Sequence, residues 1–260
     1  MRVPLSEIIE YMEQIAPRST ALEWDNVGLQ VGDPRSSIGS VLFALDVSPS
    51  VIEEAESLSA DLIISHHPLL FRPVSRIDFS TTNGLMIREL IRHGIVLFTA
   101  HTNLDRSFMG TGKILADRIG LKKIKRYSDD PDDEMNMVVT GSFEQPLSAD
   151  EVISLLKGNL KCDCIKLVGN PVNVLTVAVI PGSSSSLLRK MTLPVDLIIT
   201  GELSYHEALS AQYQGRAVAI MGHFISEKPV MYYLADKFRE KFTSLSIEVS
   251  ERDGEPYRIV

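Results

Sequence analysis

An α/β fold follows from three features of the sequence. Short runs rich in Val, Ile and Leu alternate with helical patterns along the chain. These runs are continuously apolar rather than alternating, as in a sheet covered on both faces by helices. The third feature is an internal echo. Val41-Leu-Phe-Ala-Leu-Asp46 resembles Val174-Leu-Thr-Val-Ala-Val179, Asp-Leu-Ile-Ile recurs at 61–64 and 196–199, and the runs 95–101 and 217–223 each end in a histidine. Two similar α/β lobes, each a sheet flanked by helices, account for the repetition.

In chain order, the pattern predicts a helix over Pro4–Ile15, where acidic residues interrupt the unbroken apolar core that a secretion signal would need. A strand at Val41–Asp46, a helix at Ser50–Ser59 and a strand at Asp61–Ser65 follow. The helix Asn83–His93 ends before Gly94, with His93 placed as a cation on the C-terminal end of the dipole. The strand Ile95–Ala100 and the helix Thr111–Ile119 complete the first lobe. The solvated acidic turn Asp129–Glu134 marks the boundary, giving lobes at 1–128 and 129–260 of one intertwined domain. The second lobe should contain strands at Met137–Phe143, Val174–Ile180, Asp196–Thr200, Ala217–Met221 and Ser246–Ser250. Its helices are expected at Ser148–Lys157, Ser185–Met191, Tyr205–Tyr213 and Ser226–Phe242. Ser226 is placed as the N-cap of the last helix because Pro229 is tolerated only in a first turn.

Lys and Arg total 26 against 34 Asp and Glu, a net charge of −8 that argues against nucleic acid or an anionic membrane surface as partner. The apolar runs are far shorter than the ~20 residues of a membrane span. The two cysteines, Cys162 and Cys164, lie too close for an ordinary disulfide and have no second pair for a zinc site, so reduced thiols and a cytoplasmic location are expected. The basic run Lys122–Arg126 fits a solvated face, and Pro181-Gly-Ser-Ser-Ser-Ser186 fits a helix cap or a ligand loop.

Chemistry concentrates in five of the six histidines: His66, His67, His101, His206 and His223 fall just after predicted strands or at the next helix. In open α/β sheets that edge is where ligands bind. Pro68 confines His67 to extended backbone, so the rings of His66 and His67 are expected to point to different sides, an arrangement able to serve two different metal ions. Asp105 lies four residues past His101, Glu227 four past His223, and Glu202 four before His206. Imidazole and carboxylate donors without thiolates suit Zn, Mn, Fe, Co or Ni. The donors exceed what one four-coordinate ion needs, which points to two divalent metal ions about 3.5–4 Å apart, the equipment of a hydrolase.

The segments His66-His67-Pro68, His101-Thr-Asn-Leu-Asp105, Thr200-Gly-Glu202 and Gly222-His223-Phe-Ile-Ser-Glu227, with Trp24-Asp25-Asn26-Val27-Gly28-Leu29, resemble the signature segments of the GTP cyclohydrolase I type 2 homologue, or Nif-three-like, family. The resemblance runs from Trp24 to the C-terminal strand. It implies two metal ions held by His66, His67, Asp105, His223 and Glu227, with Glu227 bridging, in a cleft between the two lobes. It also implies a toroidal homohexamer, a trimer of dimers. His101, His206 and Glu202 then become acid/base or orienting groups, with Tyr205 a further donor and Trp24–Gly28 a substrate-positioning segment. The expected function is metal-dependent hydrolysis of a small molecule, and the family label points to a nucleotide-derived one. The alternative is a non-catalytic metal-binding interaction or chaperone protein.

Overall fold

The computed structural model describes residues 2–130, 133–192 and 194–259. Pro131 and Asp132 of the expected boundary turn lie outside the described residues. The chain forms two compact units, Met1–Ser107 with Met231–Gly254, and Phe108–Val230 with Glu255–Val260. The division is therefore not a single cut at 128/129. Residues 108–128 belong with the second unit and residues 231–254 with the first.

The first unit contains α1 (Leu5–Ile15), β1 (Gly28–Val31), β2 (Ser40–Ala44), α2 (Pro49–Ser57), β3 (Leu62–Ser65), α3 (Thr82–His93), β4 (Val96–Thr99) and the single turn α4 (Thr102–Asp105). The C-terminal strand Ser246–Val249 joins its sheet beside β2, in the order 246–249, β2, β3, β4, β1, parallel except for β1. That pairing explains why the last stretch of chain leaves the second lobe. Side chains alternate across β2. Leu42 and Ala44 pack with Val51, Ile52, Ala55, Met86 and Leu90 of α2 and α3. Phe43 stacks edge-on against Phe238 at 5.0 Å, and Phe238 meets Tyr11 of α1 at 5.3 Å. Both faces of the sheet are covered, as the unbroken apolar runs require.

The second unit contains α5 (Thr111–Arg118), β5 (Lys122–Arg126), β6 (Val139–Leu147), α6 (Ala149–Leu160), β7 (Lys166–Val168), β8 (Val174–Ser183), α7 (Ser185–Lys190), β9 (Leu197–Glu202), α8 (Tyr205–Tyr213) and β10 (Val218–Ile220). The helix α9 (His223–Lys241) begins here. Strand order is β5, β6, β8, β9, β10, β7, with β8, β9 and β10 parallel. Val177, Val179 and Ile199 face Leu115, Val152 and Leu156 on one side, while Ala178, Ile180 and Ile198 face Leu187, Leu188 and Ala211 on the other.

The sequence echo corresponds to β2-β3-β4 in one unit and β8-β9-β10 in the other, parallel triplets in the same order. It extends to the aspartates. Asp61 Oδ2 accepts the N–H groups of Gly39 and Ser40 at 2.7 and 3.0 Å, and Asp196 Oδ2 accepts those of Leu175 and Thr176 at 3.0 and 2.7 Å. In each unit the carboxylate that opens the middle strand caps the start of its neighbour. Lys122–Arg126 is an edge strand whose lysines discourage further pairing.

Candidate metal centre

In the first unit the donors sit where β3 and β4 end. The backbone N–H groups of His66 and His67 extend the β3 ladder onto Ala44 and Leu45 carbonyls, at 3.2 and 2.9 Å. Ser65 Oγ donates to the His67 carbonyl at 2.9 Å, tightening the chain at that point. As a result the two rings do not diverge. Their centroids lie 5.0 Å apart, and those of His66–His101 and His67–His101 lie 5.2 and 5.6 Å apart. Each of the three offers a ligand nitrogen within 4.8 Å of the other two. The strict alternation assumed from sequence stops at Ser65, so His66 and His67 converge on one cluster.

The three rings are held in one orientation by the same device. His66 Nδ1 lies 2.8 Å from the Ala100 carbonyl, His67 Nδ1 2.8 Å from Asp46 Oδ1, and His101 Nδ1 2.9 Å from Asp25 Oδ1. A carbonyl or carboxylate oxygen can only accept, so each Nδ1 donates, and in the neutral ring this leaves the Nε2 lone pair as the ligand atom. Asp105, at the end of α4, places Oδ1 3.5 Å from His66 Nε2. His66 is completely buried.

Asp25 and Asp46 hold two of the imidazoles, and the sequence argument did not single them out as orienting groups. The Asp25 side chain is buried, which alone would raise its pKa. Hydrogen bonds from His101 and from the Thr102 hydroxyl and N–H outweigh burial and hold it at about 2. Asp25 is therefore ionised, and its carboxylate accepts the bond from His101 Nδ1.

In the second unit α9 starts at His223, three residues earlier than expected, with Pro229 inside it. His223 and Glu227 thereby become an i, i+4 pair on one helical face. His223 Nε2 lies 3.1 Å from Glu227 Oε2, and His223 Nδ1 lies 3.4 Å from Glu202 Oε2. Ser226 does not cap the helix. Its hydroxyl accepts the Gly182 N–H at 2.9 Å and donates to the His223 carbonyl at 2.7 Å. Gly182 is left-handed (φ +61°), and a Cβ there would lie 2.0 Å from Glu227 Oε1. The Pro181–Ser186 segment thus makes room for a buried carboxylate, and only glycine serves there. His206 is exposed in the first turn of α8, its ring 5.4 Å from that of Tyr205. Among the described residues no hydrogen bond or ion pair joins it to Glu202, His223 or Glu227.

The sequence profile of the Duf34/NIF3 (NGG1p interacting factor 3) family matches residues 3–256. The chain belongs to this family. A relative from Clostridium perfringens called "GTP cyclohydrolase 1 type 2 homolog" is 34% identical, over 98% of this chain and 99% of its own length. Another of the same name from Clostridium acetobutylicum is 30% identical over 99% of both chains. Among solved structures, a Bacillus cereus protein related to NIF3 superposes with a TM-score of 0.87 at 21% identity, covering 98% of both chains. Reduced HcgD from Methanocaldococcus jannaschii superposes with a TM-score of 0.83 at 28% identity, covering 96% of this chain and 99% of that one.

In this NIF3-family chain the donor set suits a divalent ion of the borderline class. Three imidazoles whose ligand nitrogens lie within 4.8 Å of one another, with a carboxylate beside one of them, are the kind of donor set that holds such a cation. Tethering of each Nδ1 to an oxygen is the outer-sphere pattern that orients histidine ligands.

Proposed function

We propose that this NIF3-family protein is a divalent-metal-dependent hydrolase of a small molecule. The observation that carries the reading is the convergence of His66, His67 and His101, each with Nδ1 locked to an acceptor oxygen. The ligands are those the family resemblance implies: His66, His67 and Asp105, together with His223 and Glu227, for two ions. Such ions, when bound, polarise a substrate oxygen and make water a stronger acid.

The chain's own residues supply the rest. His101 Nε2 accepts a proton from the attacking water and returns it to the leaving group, while ionised Asp25 on Nδ1 stabilises the charged ring between these steps. Glu202 orients His223 through Nδ1. Gly182 and Ser226 fix Glu227 and the start of α9. Among the described residues His206 shows no such tie, and it takes no step. The name carried by the relatives points to a nucleotide-derived substrate, and the assembly implied by the resemblance is a homohexamer.

The test measures metal per chain and hydrolysis of a panel of nucleotides and simple phosphoesters, for the purified protein and for Asp105→Ala and Glu227→Ala. Turnover that disappears together with bound metal supports the proposal. Metal bound with no turnover across the panel overturns it in favour of a non-catalytic metal-binding protein. Sedimentation velocity checks the hexamer separately.

A further inference from the structure

Trp24, the sole tryptophan of the sequence, is 58% exposed, and Phe71 beside it is 43% exposed. Their ring centroids lie 5.6 Å apart, and Trp24 meets the ring of His101 edge-on at 6.2 Å. An exposed indole thus stands beside the imidazole cluster, with the Phe71 ring against it.

They are held there rigidly. The turn carrying Trp24 is fixed by the Asp25 N–H on the Leu22 carbonyl (2.9 Å) and the Leu22 N–H on Thr102 Oγ1 (3.0 Å). Asn26 Nδ2 donates to the Leu70 carbonyl at 2.5 Å, and Gln30 Oε1 accepts the Leu70 N–H at 2.9 Å, tying the Phe71 segment to the same turn. Asp25, the neighbour of Trp24, is the group that orients His101. Ring placement and acid/base orientation are built into one turn.

We propose that Trp24 and Phe71 form a stacking subsite for a planar heteroaromatic ring, of purine or pterin size, in the small molecule presented to the His66–His67–His101 cluster. The proposal rests on the hydrolase reading above and names the substrate class it requires. The two rings are inclined at 52°, so one can present its face and the other its edge to a single fused heterocycle, whereas a stable protein interface needs ~800 Å² from each partner. The charge of −8 disfavours a polynucleotide as the source of the ring. Stacking on aromatic faces accepts any flat π-system, and the polar groups beside the platform select among them.

The experiment uses the full-length protein and three ring probes, guanosine 5′-monophosphate, adenosine 5′-monophosphate and neopterin, with ribose 5-phosphate as the ringless control. Trp24 emission reports binding in the native protein, and calorimetry reports it for the variants, each with metal present and after chelation. At least one ring probe should quench Trp24, and ribose 5-phosphate should not. Trp24→Ala and Phe71→Ala should each weaken that probe by roughly 5- to 150-fold, the range of base–aromatic stacking, while Trp24→Phe restores binding to within about threefold. No ring probe binding to the native protein, or unchanged affinity in Trp24→Ala, overturns the proposal. So does a Trp24→Ala variant that dissociates in sedimentation with ring binding intact, since the face is then a protein contact. Ring binding that depends on Trp24 in a protein without turnover leaves the subsite standing and removes only the hydrolase reading. Turnover indifferent to Trp24 and Phe71 does the reverse.

Discussion

Replacing Asp25 by Asn keeps shape and removes charge, which makes it the sharpest probe of the first unit's site. The carboxylate accepts four hydrogen bonds: from His101 Nδ1 (2.9 Å), the Asn26 N–H (2.9 Å), the Thr102 N–H (3.0 Å) and the Thr102 hydroxyl (2.5 Å). Oδ1 receives the first two and Oδ2 the last two, so an amide NH2 in either place faces a backbone N–H that cannot turn away. Loss of charge-assisted bonds, with one donor left unmatched, costs about 2–3 kcal/mol at pH 7. Part of this is pH-linked. Asp25 is held at about 2 when folded against 3.8 for the free group, so its contribution is fully present above pH ~4 and is lost as pH falls through about 2. The linked portion amounts to about 1–2 kcal/mol after allowance for screening by solvent. Guanidinium denaturation followed by circular dichroism, for native protein and Asp25→Asn, should show a gap at pH 6–7 that narrows toward pH 2.5. An Asn variant within about 0.5 kcal/mol of the native protein at pH 7, or a gap that does not narrow, refutes the account. If hydrolysis is observed, the same variant should lose about 10²- to 10⁴-fold in kcat, because the proton on His101 is no longer directed to Nδ1.

Three further outcomes follow from the same geometry. Gly182→Ala drives a Cβ into Glu227 Oε1 from a left-handed backbone, so it should lower metal retention about 10- to 100-fold and cost about 1–3 kcal/mol, read by metal analysis and a denaturation midpoint. Asp46→Ala releases His67 Nδ1 at a half-exposed position and should weaken metal binding about 10- to 100-fold while moving stability by less than about 1 kcal/mol, a separation that isothermal titration with Zn²⁺ and thermal melting measure together. Glu54 accepts the Glu251 N–H at 2.9 Å, the Arg252 N–H at 3.3 Å and the Ser250 hydroxyl, and although burial alone would raise its pKa these bonds hold it below the ordinary glutamate value. Its stabilisation is therefore present above that value and lost on acidification. Glu54→Gln should cost about 2 kcal/mol at neutral pH and speed amide exchange in the strand Ser246–Val249.

The parallel triplets were legible because burial on both faces forces unbroken apolar runs, and Val41–Asp46, Asp61–Ser65 and Ile95–Ala100 are such runs. The peripheral strands escaped for the converse reason. Lys122–Arg126 and Lys166–Val168 pair on one side only and are largely exposed, so their residues carry surface chemistry rather than core chemistry. The unit assignment of Ser246–Val249 depends on pairing with β2, some two hundred residues away in sequence, and no local pattern encodes that partner.

The site divides along a similar line. Histidines after strands can be found by spacing, because strand ends deliver side chains to one edge of a sheet and the residue types announce their chemistry. What holds those histidines does not follow from spacing. His66 is locked by a main-chain carbonyl, His67 by an aspartate from the end of β2, and His101 by an aspartate seventy-six residues earlier in a turn of its own. Two of these acceptors are ordinary acids in sequence and the third has no side chain to betray it. Gly182 is the extreme case, since its function is the space it leaves for Glu227. A motif can therefore nominate donors while remaining silent on the proton positions that make them donors. Those positions are set by tertiary contacts, and they decide whether three neighbouring imidazoles form a cation site or a surface cluster.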